Sequence, residues 1–277
     1  MAEGMGIRTL FEPSSDAVAF GAAQRPSHCP IGIYSTTMDA YIAMLLFTTA
    51  SGFCILAGGL LARVEKIRPF WLEQELRHTI IAFGGGTLIA AVALVLVPEG
   101  QEYLGFPLIG VLLFLAGGIM FMLIEHHLAS REHHLPQTFA MLLDFVPESL
   151  AMGGMFALGS RSATLLAVLI GLQNLPEGFN AYREIMSVAR HRGRGTLLIM
   201  TLLVLAGPIA GAAGWHVSAR FPEVVGATML FASGGILYLL FQDIAPQSRL
   251  ERHWAPTLGA VLGFCLAMVA EFLIAAP

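Results

Sequence analysis

Two short stretches of this chain carry residues that can do chemistry inside otherwise apolar sequence: Asp144-Phe145-Val146-Pro147-Glu148-Ser149 and Gln173-Asn174-Leu175-Pro176-Glu177-Gly178. They repeat each other, the second glutamate following the first by 29 residues. In each, a proline precedes a glutamate and a polar side chain stands four positions before that glutamate. On a helix this spacing puts Asp144 with Glu148, and Gln173 with Glu177, on one face. Each proline lacks an N–H, so the carbonyls of Leu143 and Leu172 are expected to lose their helical partners and both helices to be locally broken. Oxygen donors gathered on broken helices at membrane depth are how a transport protein builds an ion site.

The three carboxylates make the bland reading costly. A charged side chain at the centre of a membrane helix costs roughly 2.5–3.5 kcal/mol on insertion scales. Neither repeat has a lysine or arginine in its core, and the nearest, Arg161 and Arg183, sit at helix ends where they can reach the interface. A cation or bound protons must therefore balance Asp144, Glu148 and Glu177. The two options are a permeant-ion site and a protonated hydrogen-bond cluster with a structural role.

The elements that must hold these residues follow from composition. The chain has 277 residues, 56% of them hydrophobic and only 12% charged, with a mean hydropathy of +0.72. Soluble domains are about 25% charged, so an all-α, polytopic membrane protein is expected. Apolar runs near the ~20 residues that cross a bilayer lie at 39–62, 78–97, 105–124, 137–159, 163–185, 195–214, 224–241 and 255–275. They predict eight transmembrane helices in a domain over 39–277, with the ion site between the fourth and fifth. The helix ends and loops after the first, third, fifth and seventh spans hold 11 of the 15 Lys and Arg residues, which predicts both termini outside, as in a bacterial plasma-membrane protein. A net charge of −4 gives no sign of a nucleic-acid partner, and the partner expected from composition is the lipid bilayer. Three cysteines without CxxC spacing indicate neither a disulfide framework nor a thiolate site.

With these motifs the chain resembles the ZIP (Zrt/Irt-like protein) metal transporters, whose fourth and fifth helices carry His-Asn-x-Pro-Glu-Gly and a similar second copy. Pro147, Glu148, Pro176, Glu177 and Gly178 match that pattern, and Asn174 also fits it. Val97-Pro98-Glu99, Gly207-Pro208-Ile209-Ala210-Gly211 and Gln242-Asp243-Ile244-Ala245-Pro246 are similar to the second, sixth and seventh helices. The resemblance implies transport of divalent transition metals of the zinc, iron or manganese class, as substrate, toward the cytoplasm, by a homodimer. It implies no enzymatic activity. Asp144 and Gln173 stand at the family's histidine positions, Phe145 at an asparagine and Gly207 at a sixth-helix glutamate. The second of two adjacent metal positions is therefore expected to be dismantled. One site remains, with Asp144, Glu148, Gln173 and Glu177 as ligands and Asn174 as a further donor. An all-oxygen set favours harder ions than an imidazole site does.

Other polar groups rank lower. Glu125-His126-His127-Leu128-Ala129-Ser130-Arg131-Glu132-His133-His134 holds four of the nine histidines, and within a loop over 125–136 it is read either as a weak metal-binding tract or as a solvated loop. Residues 1–38 read as a polar leader in which His28 and Cys29 are too few for a metal site. Glu99, Gln242, Asp243 and Asn180 are candidates for lining an entrance, an exit or the same cavity. Glu271, His78 and His216 read as interfacial. Two rival functions stay open: a non-transporting metal sensor or scaffold derived from such a transporter, and an intramembrane hydrolase, against which the lack of HExxH or Gly-x-Gly-Asp counts.

Overall fold

A computed structural model describes residues 37–64, 70–129, 136–188, 193–250 and 253–275. The 1–38 leader, with its Ser27-His28-Cys29-Pro30 fragment, lies outside them except for its last two residues, and so do His133 and His134. Among the described residues the chain is helical with no strand, in the order α1 (Thr37–Val64), α2 (Phe70–Ala90), α3 (Val97–Leu104), α4 (Pro107–Ala129), α5 (Pro136–Leu158), α6 (Ser162–Val188), α7 (Gly193–Val204), α8 (Ala206–Ser218), α9 (Pro222–Leu239), α10 (Ala245–Ser248) and α11 (Ala255–Ala275). Among the described residues, seven stretches are long and apolar enough to cross a membrane: α1, Gln74–Leu104, most of α4, most of α5, Gly195–Ser218, Pro222–Ser248 and most of α11. The chain is an integral, multi-pass membrane protein.

Prolines shape the long spans. Ala91–Leu96 and Leu240–Ile244 are π-helical turns joining α2 to α3 and α9 to α10. In each, the residue after the turn reaches back five positions, Val97 N–H to Val92 O and Ala245 N–H to Leu240 O. The next residue is Pro98 or Pro246, which has no N–H to offer, and the wider turn absorbs that missing bond. Through this turn the second span runs to Leu104, beyond the boundary at 97 read from hydropathy. The stretch Gly195–Ser218 is broken at Leu205, because Pro208 cannot serve the carbonyl of Val204. Leu205 N instead donates to Leu202 O at 3.2 Å in a tightened turn.

The prolines of the repeat behave differently, and here the expectation of broken helices is corrected. α5 and α6 run through Pro147 and Pro176 without interruption. At Pro176 a neighbour is close: a Cβ placed on Gly84 of α2 would lie 3.1 Å from the Pro176 ring, so that ring packs against α2. A second correction concerns the histidine tract. Glu125, His126 and His127 continue α4, so the tract begins on a helix.

Packing relies on close backbone approach at small residues, as membrane helices need where lipid gives no hydrophobic drive for association. α1 packs along α6, α2 along α11, α5 along α8 and α4 along α9, and α6 also touches α2 and α5. At each of the four main crossings, glycine lets one backbone meet another: Gly58 and Gly178, Gly86 and Gly263, Gly153 and Gly214, Gly117 and Gly234. α6 is therefore held on three sides, with its polar residues turned toward other helices.

Candidate functional site

The two halves of the repeat come together in the interior. Asp144, Glu148, Gln173, Asn174 and Glu177 are all buried, with Glu148, Gln173 and Asn174 fully enclosed. Asp144 and Glu148 follow the i, i+4 spacing on α5. Gln173, Glu177 and Asn180 follow i, i+4, i+7 on α6, so the α6 polar stripe is one residue longer than the repeat. α5 and α6 pack against each other. Across that contact Gln173 Nε2 donates to Glu148 Oε2 at 2.6 Å, joining the copies. Asn174 turns to α1, its Nδ2 donating to the carbonyl of Ser51 at 2.9 Å.

These two bonds use the amide donors and leave the oxygens. Asp144 Oδ1, Glu148 Oε1, Ser149 Oγ, Gln173 Oε1, Asn174 Oδ1, both carboxylate oxygens of Glu177 and Asn180 Oδ1 are buried with no hydrogen-bond partner. A buried acceptor left bare costs about 1–3 kcal/mol. Eight of them together rival the ~5–15 kcal/mol net stability of a typical domain. They are electron-rich groups concentrated on two helices, and no lysine or arginine among the described residues pairs with them. Ser149 is the member that sequence reasoning missed. Its one signal is adjacency to Glu148, which on a helix normally points a neighbour elsewhere.

A narrow cavity of about 20 Å³, room for roughly one water, is lined by Asp144 and Glu177 together with Asp243 and Gln247. Asp243 thus joins the central acids through the π-helical turn, whereas Gln242 is exposed. Among the described residues no three His, Cys, Asp or Glu side chains are grouped closely enough to hold one ion by themselves. Of the three central carboxylates, Glu148 is the one that the Gln173 amide holds. The other candidates lie elsewhere. Glu99 accepts from Ser160 Oγ at 3.1 Å at the α5–α6 turn. His78 Nδ1 contacts Gln74 O at 2.6 Å, and His216 is exposed beside the Tyr41 ring. Glu271 is half-buried near the end of α11, and His126 and His127 are exposed.

Phe145 and Gly207 fit each other. The Phe145 ring is buried, and a Cβ on Gly207 would sit 2.7 Å from its Cζ and 2.8 Å from the Thr48 carbonyl. The ring also approaches Gly52, whose added Cβ would lie 3.1 Å from it. An aromatic plug therefore fills the space between α1, α5 and α8. Gly207→Ala is expected to destabilise the protein by about 1–3 kcal/mol through overpacking, and Phe145→Leu in the same chain to recover part of that loss. A double-mutant cycle on melting temperature in detergent checks it, and additive effects of the two substitutions would refute the contact. No protein-family model matches the chain, and no curated protein matches it.

Proposed function

We propose that this protein is a divergent ZIP-type transporter that carries divalent transition-metal cations across the membrane through α5 and α6. The single observation behind this reading is the set of eight partnerless buried oxygens on those helices, three carboxyl groups among their owners. Groups so placed in an apolar interior call for positive charge, and an intramembrane acid is a functional-site hypothesis by default. In this reading α6 is the eighth transmembrane helix. At 27 residues it is long enough to cross, and its hydropathy is low because Gln173, Asn174, Glu177 and Asn180 face protein. The substrate is a zinc-, iron- or manganese-class ion, held one at a time by Asp144, Glu148, Gln173 and Glu177 with Asn174 nearby, since Phe145 fills the space beside Gly207. Both termini face outward, flux runs toward the cytoplasm, and the unit is a homodimer in a bacterial plasma membrane.

Uptake of zinc, iron and manganese into proteoliposomes containing the full chain tests the reading. Accumulation above protein-free vesicles is expected, and its absence for every ion would overturn transport. One observation favours the rival of a non-transporting scaffold: among the described residues no three His, Cys, Asp or Glu side chains gather at one site. The same assay separates them, because a scaffold moves no metal. Ion choice gives a further prediction. Asp144→His replaces a carboxylate with a softer imidazole and is expected to shift the zinc-to-manganese uptake ratio toward zinc by roughly tenfold. An unchanged ratio in competition uptake would remove Asp144 from the choice of ion.

A further inference from the structure

A second feature has no part in the ion site. On the opposite side of α6, a groove of about 250 Å³ opens between α1, α2 and α6, lined by Leu61, Ile80, Phe83, Leu175 and Phe179 with Pro176 and Thr79. The lining is apolar apart from Thr79, whose hydroxyl is turned back to the carbonyl of Glu75 at 2.8 Å. Leu61 and Leu175 form an exposed rim, and α1 and α2, which supply four of the lining residues, lie in stretches apolar enough to cross a membrane, a setting in which the groove faces hydrocarbon.

Two arginines stand toward one end of the groove. On α2, Arg77, Ile80 and Phe83 follow an i, i+3, i+6 row, which places the exposed Arg77 one turn beyond the apolar lining. On α6, Phe179 and Arg183 are an i, i+4 pair, and the Arg183 guanidinium lies 5.6 Å from the centre of the Phe179 ring. Gly84 of α2 meets Pro176 of α6, and Thr79 and Ile80, which precede Gly84, share the groove with Phe179, which follows Pro176, so the helices run antiparallel and both arginines stand toward the same end. An apolar slot at membrane depth with paired guanidinium groups at one mouth complements a molecule with a hydrocarbon tail and an anionic head. We propose that the groove holds one acyl chain of an anionic phospholipid, with its phosphate at the end marked by Arg77 and Arg183. Arginine suits this role, since its planar fork binds phosphate oxygens in pairs.

The site is independent of the ion reading. It does place lipid against Leu175 and Pro176, the residues that immediately precede Glu177. Native mass spectrometry of the full chain in detergent, titrated with phosphatidylglycerol or phosphatidylcholine, tests it. The parent is expected to retain phosphatidylglycerol preferentially, and Arg77→Ala and Arg183→Ala each to reduce that retention about fivefold. Ile80→Trp, which fills the slot, is expected to lose it. Leu61→Trp, built at an exposed rim position, adds the same bulk where it disturbs no packing, so loss of lipid there with an unchanged melting temperature separates blockage from misfolding. Equal retention of the two lipids by the parent, or retention unaffected by both tryptophans, would overturn the proposal. So would a dimer that dissociates in either tryptophan variant, because a second copy would then be the occupant.

Discussion

Glu177→Gln is expected to abolish divalent-metal uptake, with a fall of roughly a hundredfold or more at normal membrane expression, and Glu148→Gln to do nearly the same. Both oxygens of Glu177 are buried without a hydrogen-bond partner, and Glu148 has one oxygen bonded to Gln173 and one bare. An amide at either place keeps the volume and removes one of three negative charges from a low-dielectric setting. Removing one partner of a buried charge pair costs about 3–5 kcal/mol, and each ~1.4 kcal/mol is a factor of ten. Glu148→Gln can keep the bond from Gln173 Nε2 through its own amide oxygen, so a loss of uptake there reports the charge. The loop histidines meet no such demand: His126 and His127 are exposed at the end of α4. Serine in place of His126, His127, His133 and His134 is expected to change uptake less than about threefold, because solvated ligands hold metal loosely. Radiotracer uptake in proteoliposomes decides between them. Should Glu177→Gln transport like the parent while the serine variant fails, the metal path lies in the histidine tract and the central helices have another role.

Much of this arrangement was legible in the sequence because two periodicities agree. The i, i+4 spacing of Asp144 with Glu148 and of Gln173 with Glu177 needs only that each stretch be helical, and the apolar flanks supply that. The burial of all five residues follows from the same reasoning. What spacing cannot carry is the pairing across helices. Nothing in the chain says that Asn174 will turn to the Ser51 carbonyl and Gln173 to Glu148, since that choice depends on which helix lies on which side of α6. The prolines misled for a related reason. Pro147, Pro176, Pro98, Pro208 and Pro246 all remove one N–H, yet two leave their helices continuous, two sit beside π-helical turns and one breaks the span. The local defect is the same in each, so the proline alone does not set the outcome. α6 is not among the seven stretches apolar enough to cross a membrane. Its polar residues lower the average although Gln173, Asn174 and Asn180 are buried in protein.

The glycines make the same point and carry the second large effect. Gly118 and Gly178 look alike in sequence, small residues in apolar helices, but their surroundings differ. A Cβ on Gly178 would run into the backbone of Ile55, lying 2.7 Å from its Cα, and one on Gly58 would lie 2.7 Å from the Phe179 nitrogen as well as against the Leu175 carbonyl. Both obstacles are main chain, which cannot rotate aside. On Gly118 the nearest atom is the Gly234 carbonyl oxygen at 3.4 Å, an ordinary contact. Gly178→Ala is therefore expected to force α1 off α6 and destabilise the protein by about 3 kcal/mol, the upper part of the overpacking range. Gly118→Ala is expected to be neutral or slightly stabilising, since alanine is the better helix former by about 1 kcal/mol. Separation of α1 from α6 also stretches the Asn174–Ser51 bond, so any Gly178→Ala protein that does fold is expected to transport poorly. Melting curves from fluorescence-detected size exclusion, read for Gly178→Ala, Gly58→Ala and Gly118→Ala side by side, test the contrast. Equal stability of Gly178→Ala and Gly118→Ala would mean that α1 and α6 do not cross where their glycines meet, and the placement of Asn174, Glu177 and their partners would have to be redrawn with them.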